Sequence, residues 1–364
     1  MQTPSQSEND FHFLSELLLA ASDSSVFSNR TAETLQDLNP GRLEAIAELA
    51  VKNHVIIRAF LRLRELLTMN GSADLANIVS RAIEAENSRI CHALGFLDRI
   101  CAMLERSGCC ATVIKSLDHW PDLGSDLDLY TDAEPAHVVD VMRTKFGAKV
   151  DNRSWGDRLA NKWNFVVPGL PELVEIHIGR LGQTGEQTAI TQSLSGRTRT
   201  VPIGHYSFRV LAPEDRIIIS TLQCMYRHFY IRLCDVIDNT ALLDSECLDF
   251  AYLHRLGADA GIWEGIATYI AIISGYVEAF RRRNITLPAL VNRSAKFSVD
   301  QVRYRRDFLR VPILPHSLNL YAGELKTLLM RGEVRNSLRL SLLPGLATAA
   351  ALELKMTGSD KGIW

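Results

Sequence analysis

The sequence predicts an α+β fold in which a small mixed sheet lies between two mainly helical regions. Apolar residues recur every three or four positions before residue 107 and again after Pro213, which is the spacing of amphipathic helices. Between these regions, short β-branched and alternating segments predict strands. We therefore divide the chain into an N-terminal helical region, 1–107, a central core, 108–212, and a C-terminal helical region, 213–364.

Composition places the chain among globular proteins and excludes several classes. Of its 364 residues, 47% are hydrophobic and 23% are charged, so the chain can bury a sizeable core. A formal net charge of -2 gives no global field that would attract nucleic acid or anionic membranes, so any basic surface has to be local. Seven cysteines without a CxxC spacing predict free thiols in a reducing compartment.

Terminal and apolar segments predict a cytoplasmic protein. The N-terminal segment MQTPSQSEND is polar and acidic and does not resemble a secretory signal. The longest apolar run, 266–280, is shorter than the roughly 20 residues that span a bilayer, so we expect a buried helix and no transmembrane segment. Nothing in the sequence fixes the oligomeric state.

The helical regions are predicted from their periodicity. Residues 43–67 form one helical pattern, and a second pattern over 73–106 ends before Gly108, a helix C-cap signal. After Pro213, helical patterns continue to about residue 331. The basic stretch from Arg281 to Arg310 predicts a solvated helix face with interleaved acidic partners, and an RNA-binding surface is the alternative.

Four strands and one helix are predicted for the core. The strand segments are ATVIKSL, GSDLDLYT, NKWNFVV and ELVEIHI, and AEPAHVVDVMRTKF predicts the helix. Residues 182–204 are rich in Thr, Gln, Ser and Gly, and we expect a long mobile connection there.

The strand GSDLDLYT carries the residues with the most specific chemistry. Asp126 and Asp128 are two residues apart, so in a strand they project from the same face. Two neighbouring carboxylates repel each other unless a cation lies between them, and carboxylate oxygens are the ligands of Mg²⁺ or Mn²⁺. A solvent-facing edge strand with two hydrated acids is the alternative.

A third carboxylate follows in ELVEIHI. Glu175 alternates with apolar residues, and a neighbouring strand would carry it to the same centre. Three acids from two strands make a two-metal site, in which Glu175 would bind an ion and take up a proton. A salt-bridged strand residue is the alternative for Glu175 alone.

Together, IKSLDHWPDLGSDLDLYTD, VEIHIGRL and RLCDVIDNTALL resemble the uncharacterised nucleotidyltransferase family of the DNA polymerase β superfold, over roughly residues 45 to 245. The resemblance implies a polymerase β-like core, an NTP substrate, Mg²⁺ or Mn²⁺ bound by Asp126, Asp128 and Glu175, and a helical acid at Asp238 near Arg232. Helix capping or a buried ion pair explains Asp238 and Arg232 equally well.

Departures from the family pattern concern the phosphate-binding turn. Lys115 and Ser116 stand where the superfold carries Gly-Gly or Gly-Ser, so a cation and a hydroxyl would replace close backbone approach. Gly124 and Ser125 precede Asp126 and could add a phosphate contact or form a plain turn. His177 could bind a phosphate, orient Glu175 or be purely structural.

The predicted function is transfer of an NMP from an NTP to an acceptor hydroxyl or phosphate, with release of pyrophosphate. The alternatives are a catalytically altered nucleotide-binding or interaction protein and, third, a sugar-nucleotide glycosyltransferase that uses the DxD strand. The sequence leaves open which NTP is used and whether the acceptor is a small molecule, a peptide or protein, or an RNA.

Overall fold

The computed structural model describes residues 5–20, 28–194, 196–245, 248–281 and 285–345. The α-helices of this part are α1 (Gln6–Leu19), α2 (Asn29–Gln36), α3 (Pro40–Lys52), α4 (Ile56–Met69), α5 (Ala73–Arg106), α6 (Pro135–Phe146), α7 (Trp155–Leu159), α8 (Thr188–Leu194), α9 (Pro213–Thr221), α10 (Leu233–Asp244), α11 (Phe250–Asp259), α12 (Trp263–Glu278), α13 (Ala289–Ser294), α14 (Leu318–Met330) and α15 (Val334–Ser341). Its strands are β1 (Thr112–Val113), β2 (Asp126–Thr131), β3 (Lys149–Val150), β4 (Lys162–Val166), β5 (Leu173–Ile178), β6 (Thr198–Ile203), β7 (Tyr206–Leu211), β8 (Tyr230–Ile231), β9 (Arg303–Arg305) and β10 (Phe308–Arg310).

The predicted N-terminal helix over 43–67 is wrong as a single helix, because the chain breaks between α3 and α4. His54 adopts a φ of 52°, and the amide of Val55 closes the turn on the carbonyl of Ala50. Buried Asn53 fixes this turn to the C-terminal region: its Oδ1 accepts the amide of Leu233 at 3.1 Å. The break thereby anchors the N-terminal helices against the C-terminal ones.

A seven-stranded mixed sheet in the order β3-β4-β5-β2-β1-β7-β6 confirms the α+β class. Strand β2 lies near its centre, antiparallel to β1 and parallel to β5. Leu127 and Leu129 are fully buried beneath it, so the alternate residues face the opposite side. The four predicted strands are present, and β3, β6 and β7 were not predicted.

The predicted mobile connection over 182–204 is wrong. It contains α8 and then β6, which pairs along its whole length with β7. Fully buried Glu186 stabilises the turn before α8, because its carboxylate accepts the amides of Gln183 at 3.0 Å and Thr184 at 2.7 Å. The polar composition therefore marks a turn whose polar groups satisfy one another, rather than a loop that water must solvate.

The C-terminal region is helical around the buried helix α12, but it also contains a small second sheet. After α9 the chain leaves the helix near Phe229, at a φ of 54°, and β8 pairs with β10, which pairs with β9. The basic stretch therefore contains helix α13 and then a β-hairpin, and the predicted helix face is wrong for residues 303–310. Residues 282–284 lie outside the described ranges.

One continuous hydrophobic core joins the three regions, with buried residues from Phe11 to Leu320. Helix α4 packs along α5, and α5 also contacts β7 of the sheet. Among the helices described here, none combines the length and the apolar character needed to cross a membrane.

Candidate active site

A cavity of about 280 Å³ lies between the sheet and the C-terminal helices. Its lining residues are His54, Lys115, Ser116, Asp118, His119, Gly124, Ser125, Asp126, Asp128, Lys162, Glu175, Arg216, Ser220, Gln223, Arg227, His228, Arg232, Asp235, Asp238, Asn239 and Leu242. Seven of the eight site residues predicted from sequence line this cavity. The eighth, His177, lies behind Glu175 and lines two smaller cavities beside it.

The three predicted carboxylates come together at neighbouring strands. Strand register places Asp128 directly opposite Glu175, and Asp126 is one side-chain period earlier on β2. Asp128 is buried, whereas Asp126 and Glu175 are partly buried. The predicted solvent-facing edge strand is therefore wrong, because β2 is paired on both sides.

Two lysine ammonium groups lie among these carboxylates. Lys115 Nζ is 2.5 Å from Oδ1 of Asp128 and 3.7 Å from Oε1 of Glu175. Lys162 Nζ is 2.9 Å from Oε2 of Glu175 and 2.9 Å from Oδ1 of Asp157. Glu175 thus forms ion pairs with both lysines. Of the two lysines, Lys115 also forms an ion pair with Asp128.

Charge compensation is uneven across the site. Burial raises the pKa of Asp128 to about 7 despite Lys115, and burial together with the charge of Glu175 raises the pKa of Asp126. For Glu175 burial is opposed by Lys115, His177 and Lys162, which hold its pKa well below its usual range. The site therefore holds Glu175 as an anion and leaves Asp126 and Asp128 short of positive charge.

His177 orients Glu175, as one of the sequence alternatives anticipated. Its Nε2 lies 2.9 Å from Oε1 of Glu175. Burial lowers the pKa of His177 to about 4, so the ring is neutral at pH 7 and Nε2 carries the proton that it donates. Its Nδ1 is buried and has no hydrogen-bond partner among the described residues.

A tight turn replaces the glycine turn of the family pattern. Lys115 has a φ of 78° and a ψ of -60°, and the Ser116 amide donates to the carbonyl of Ile114 at 3.1 Å. This is strained backbone for a residue with a Cβ, and such strain is found mainly at functional sites. The turn aims the Lys115 side chain at Asp128 without glycine.

Ser116 holds β2 in place rather than presenting a free hydroxyl. Its Oγ donates to the carbonyl of Asp126 at 3.1 Å and accepts the amide of Asp128 at 2.7 Å. The hydroxyl proton is thereby already donated to the backbone, and a phosphate contact from Ser116 stays a prediction. Ser125 is exposed at the mouth of the cavity, and its Oγ lies 3.4 Å from Oδ2 of Asp126.

Gly124 is buried in the turn that enters β2. Its φ lies outside the positive range, and an added Cβ would find its nearest neighbour, Nε2 of His54, at 3.9 Å. Neither backbone conformation nor packing therefore demands glycine here. The carbonyl of Gly124 is held by Arg89 at 3.4 Å.

On the cavity wall opposite the sheet lies Asp238, a carboxylate whose negative charge is fully compensated by its neighbours. Asp238 accepts from Arg58 at 2.6 Å and lies 2.5 Å from Nδ1 of His119. Arg58 also binds Asp122, at 2.8 Å. These two partners lower the pKa of Asp238 although burial opposes them, so the buried ion pair considered from sequence is the correct explanation.

Four cationic side chains of the cavity were not predicted as site residues: Lys162, Arg216, Arg227 and Arg232. Lys162 could have been predicted as a site residue, because it begins an apolar strand and that strand pairs with the strand that carries Glu175. The arginines come from α9, from the π-helical turn that follows it and from the N-cap of α10, and sequence spacing gives no sign that they meet the sheet.

Among the described residues, two groups of side chains have metal-ligand geometry, and they differ in how free their ligand atoms are. Ligand atoms of Asp128, Glu175 and His177 lie within 4.8 Å of one another, and Asp126 adds a carboxylate to the same cavity. This oxygen-rich set, with two acids short of positive charge, fits Mg²⁺ or Mn²⁺. The second group is His119, Cys234 and Asp238, but Arg58 and His119 already occupy both oxygens of Asp238.

Comparison of the chain with protein-family models, with curated proteins and with solved structures finds no match. The evidence on the function of the protein therefore comes from the geometry of the cavity.

Proposed function

We propose that the protein is a metal-dependent nucleotidyltransferase that moves an NMP from an NTP to an acceptor hydroxyl or phosphate. The observation that carries this proposal is the register of β2 and β5. Adjacent parallel strands bring Asp126, Asp128 and Glu175 to one cavity, whose other walls carry cations. The order of these acids along the chain agrees with the family resemblance noted from sequence.

Asp126 and Asp128, with Glu175, would hold Mg²⁺ or Mn²⁺. A divalent ion at this position supplies charge neutralisation at the transferred phosphoryl group and lowers the pKa of an acceptor hydroxyl. A cation would also relieve the repulsion between the two buried aspartate carboxylates. The chain's remaining groups then have to bind the triphosphate and receive a proton.

Lys115 and Lys162 are placed to bind phosphate oxygens. Each ammonium currently contacts Glu175, and Lys115 also contacts Asp128. A metal ion taking over the carboxylates would leave the Lys115 ammonium next to the triphosphate, where a point charge binds phosphate well. Arg227 lies in the same wall and adds a further donor.

The roles suggested by sequence assign both ion binding and proton uptake to Glu175. A general base works best with a pKa near the working pH. Glu175 is held ionised by three neighbours, whereas the pKa of Asp128 is about 7 in the metal-free site. Asp128, however, is itself a ligand of the proposed ion, which would hold it ionised. Glu175, an anion in this site, therefore keeps the roles of ion ligand and proton acceptor.

One observation favours the second candidate, a catalytically altered nucleotide-binding protein. Lys115 and Lys162 already give the carboxylates cationic partners, and such a site could bind a nucleotide without metal. The glycosyltransferase alternative lacks comparable support, since in the described ranges no strand precedes β1 to build a nucleotide-binding half.

The two candidates separate by calorimetry and labelling. We expect ATP or another NTP to bind only with Mg²⁺, and α-³²P from that NTP to appear on an acceptor in a cell extract. Asp126→Asn and Asp128→Asn should each abolish labelling while the circular dichroism spectrum is unchanged. Metal-independent binding without labelling would instead identify the altered, non-catalytic protein.

A further inference from the structure

A ladder of aromatic rings leads from the cavity to the basic hairpin. His228 lines the cavity, and its ring stacks on Tyr230 at a centroid distance of 5.3 Å and an interplanar angle of 26°. Tyr230 in turn stacks on Phe308 at 4.5 Å and 17°. Because β8 pairs with β10, the ladder is built into the second sheet rather than formed by a mobile loop.

Two arginines flank this ladder. The guanidinium carbon of Arg232 lies 5.1 Å from the Tyr230 ring centre and 5.8 Å from that of Phe308, and the corresponding distances for Arg310 are 5.0 and 5.4 Å. Arg232 lines the cavity, and its Nε is buried without a hydrogen-bond partner among the described residues. A buried donor of this kind indicates a missing anionic or polar partner.

The hairpin itself carries uncompensated positive charge. Within the described ranges, no carboxylate lies within 4.0 Å of the basic group of Arg303, Arg305, Arg306 or Arg310. Asp307, the acid at the hairpin turn, pairs with Lys52 instead, at 2.9 Å. The acidic partners expected from sequence are therefore absent from this patch, and three of its arginines, 303, 305 and 306, are exposed.

We infer that the second sheet binds single-stranded nucleic acid and directs its 3′ end into the cavity as the acceptor. Half-buried Phe308 ends the ladder, where a base can stack, and the arginines beside it can bind the neighbouring phosphates. An acidic peptide would satisfy the arginines but would leave the ring ladder without a function. This inference rests on the proposed function for the transfer step, whereas the binding step stands on the hairpin alone.

The transfer step balances with the NTP of the proposed function. The terminal 3′ hydroxyl oxygen forms a bond to the α-phosphorus, the bond from that phosphorus to the bridging oxygen of the β-phosphate breaks, and pyrophosphate leaves. The hydroxyl proton passes to a carboxylate of the site. The product is a strand longer by one nucleotide, and no oxidant or reductant is required.

Binding is tested by fluorescence anisotropy with 5′-labelled oligomers of about 12 residues, a length within the usual range of single-strand sites. The probes are oligouridine, oligothymidine and an abasic deoxyribose strand of equal charge. The first variant combines Arg303→Gln, Arg305→Gln and Arg306→Gln. Its matched control combines three exposed helical arginines that do not line the cavity, as Arg81→Gln, Arg99→Gln and Arg143→Gln.

We expect the hairpin variant to bind oligouridine about 100-fold more weakly at 0.1 M salt, because each phosphate contact contributes a salt exponent of about 0.7 for single strands. The slope of log K against log salt should fall in magnitude by about 2. The control variant should bind like the wild type. Equal loss in both variants would mean non-specific attraction and would overturn the inference.

Base stacking is tested separately with Phe308→Leu, which retains every charge. We expect about tenfold weaker binding of oligouridine, no change for the abasic strand, and an unchanged salt slope. Wild-type binding of the abasic strand as tight as oligouridine would identify a general polyanion or acidic-peptide surface and overturn the inference. A preference between oligouridine and oligothymidine assigns the strand to RNA or DNA.

Failure of the inference and failure of the proposed function give different results in the wild type. Mg²⁺-dependent NTP binding with no oligonucleotide binding overturns the acceptor alone. Oligonucleotide binding with no Mg²⁺-dependent NTP binding overturns the transferase and leaves a nucleic-acid-binding protein. When both bind, incubation with each NTP should extend the oligomer, and labelling of a different molecule would overturn the acceptor assignment.

Discussion

Two buried carboxylates on opposite walls of one cavity, Asp128 and Asp238, have opposite electrostatic surroundings. Asp238 contacts Arg58 and His119, and its pKa is lowered. Burial raises the pKa of Asp128 to about 7; its contact with Lys115 opposes this shift, and the negative charges of Glu175 and Asp126 add to it. Burial is similar, at 8% and 9% relative exposure, so the neighbours account for the difference.

The contrast separates a structural group from a reactive one. A carboxylate whose oxygens are both satisfied by cationic donors gains nothing from a metal ion and stabilises the fold through its partners. A carboxylate that is short of positive charge gains stability when a cation arrives, and perturbed groups of this kind mark functional sites. We therefore place the chemistry at the sheet wall and the fixed scaffold at the helical wall.

The largest expected effect is loss of transfer in Asp128→Asn. Removing one metal ligand costs several kcal/mol of transition-state stabilisation, so the rate should fall about 1000-fold or more. The midpoint of urea unfolding should change little, because the substitution removes a buried charge that the site compensates poorly. Transfer assays and urea unfolding measure the two quantities on the same sample. Retained activity would contradict the metal assignment.

The helical wall should respond in the opposite way, through stability. Arg58→Met leaves Asp122 and Asp238 buried without their shared cation, and breaking a buried pair of this kind costs about 3 to 5 kcal/mol in the free energy of unfolding. Urea unfolding measures the loss. Arg64→Met on the same helix α4, a partly exposed side chain that forms no ion pair among the described residues, should cost about 0.5 kcal/mol or less and serves as the control.

The sheet wall was predictable from sequence, and the helical wall was not. Strand alternation is local, so Asp126 and Asp128 could be placed on one face from their spacing alone. Glu175 joins them only because β5 pairs with β2, which the sequence analysis assumed and the register shows. Arg58 and Asp238 are 180 residues apart, and no local pattern reports a contact at that separation. Three arginines of the cavity, Arg216, Arg227 and Arg232, were missed for the same reason, since they reach it from separate elements of the C-terminal region.

Segments were mispredicted where polar groups satisfy one another inside the protein. Glu186 and its neighbours have the composition of a solvated loop, yet the carboxylate accepts two backbone amides within a buried turn. The break at His54 has no glycine or proline to indicate it, because long-range contacts of Asn53 hold the turn. A turn that is stabilised by residues far away in the sequence cannot be predicted from the residues next to it.

A smaller effect sharpens the comparison at Lys115. Its ammonium competes with a metal ion for Asp128, and a unit charge at this distance is worth a few kcal/mol at the effective dielectric of a protein surface. Lys115→Met should therefore bind Mn²⁺ alone about tenfold more tightly while binding the NTP more weakly. Electron paramagnetic resonance of free Mn²⁺ measures the affinity without any turnover.

Lys52→Met is the matched control for that experiment, because Lys52 forms an exposed pair with Asp307 away from the cavity. Its Mn²⁺ affinity should equal that of the wild type. If Lys115→Met also leaves Mn²⁺ affinity unchanged, the ammonium does not occupy the metal position and the competition argument fails.

The smallest effect is a difference in the pH dependence of stability without metal. Asp128 has a native pKa of about 7 against an ordinary value of 3.8, so between these pH values the unfolded chain has lost a proton that the native site retains. The free energy of unfolding contributed by Asp128 must therefore fall as pH rises from about 4 to 7.

Asp238 has a lowered pKa, so its contribution to the free energy of unfolding is already complete above pH 3.8 and is lost only at lower pH. Urea unfolding in EDTA should show a shallower fall over this window for Asp128→Asn than for the wild type, because the variant lacks the group whose pKa is raised to about 7. Asp238→Asn should retain the wild-type slope at lower overall stability, and equal slopes in all three proteins would remove the electrostatic distinction between the two walls.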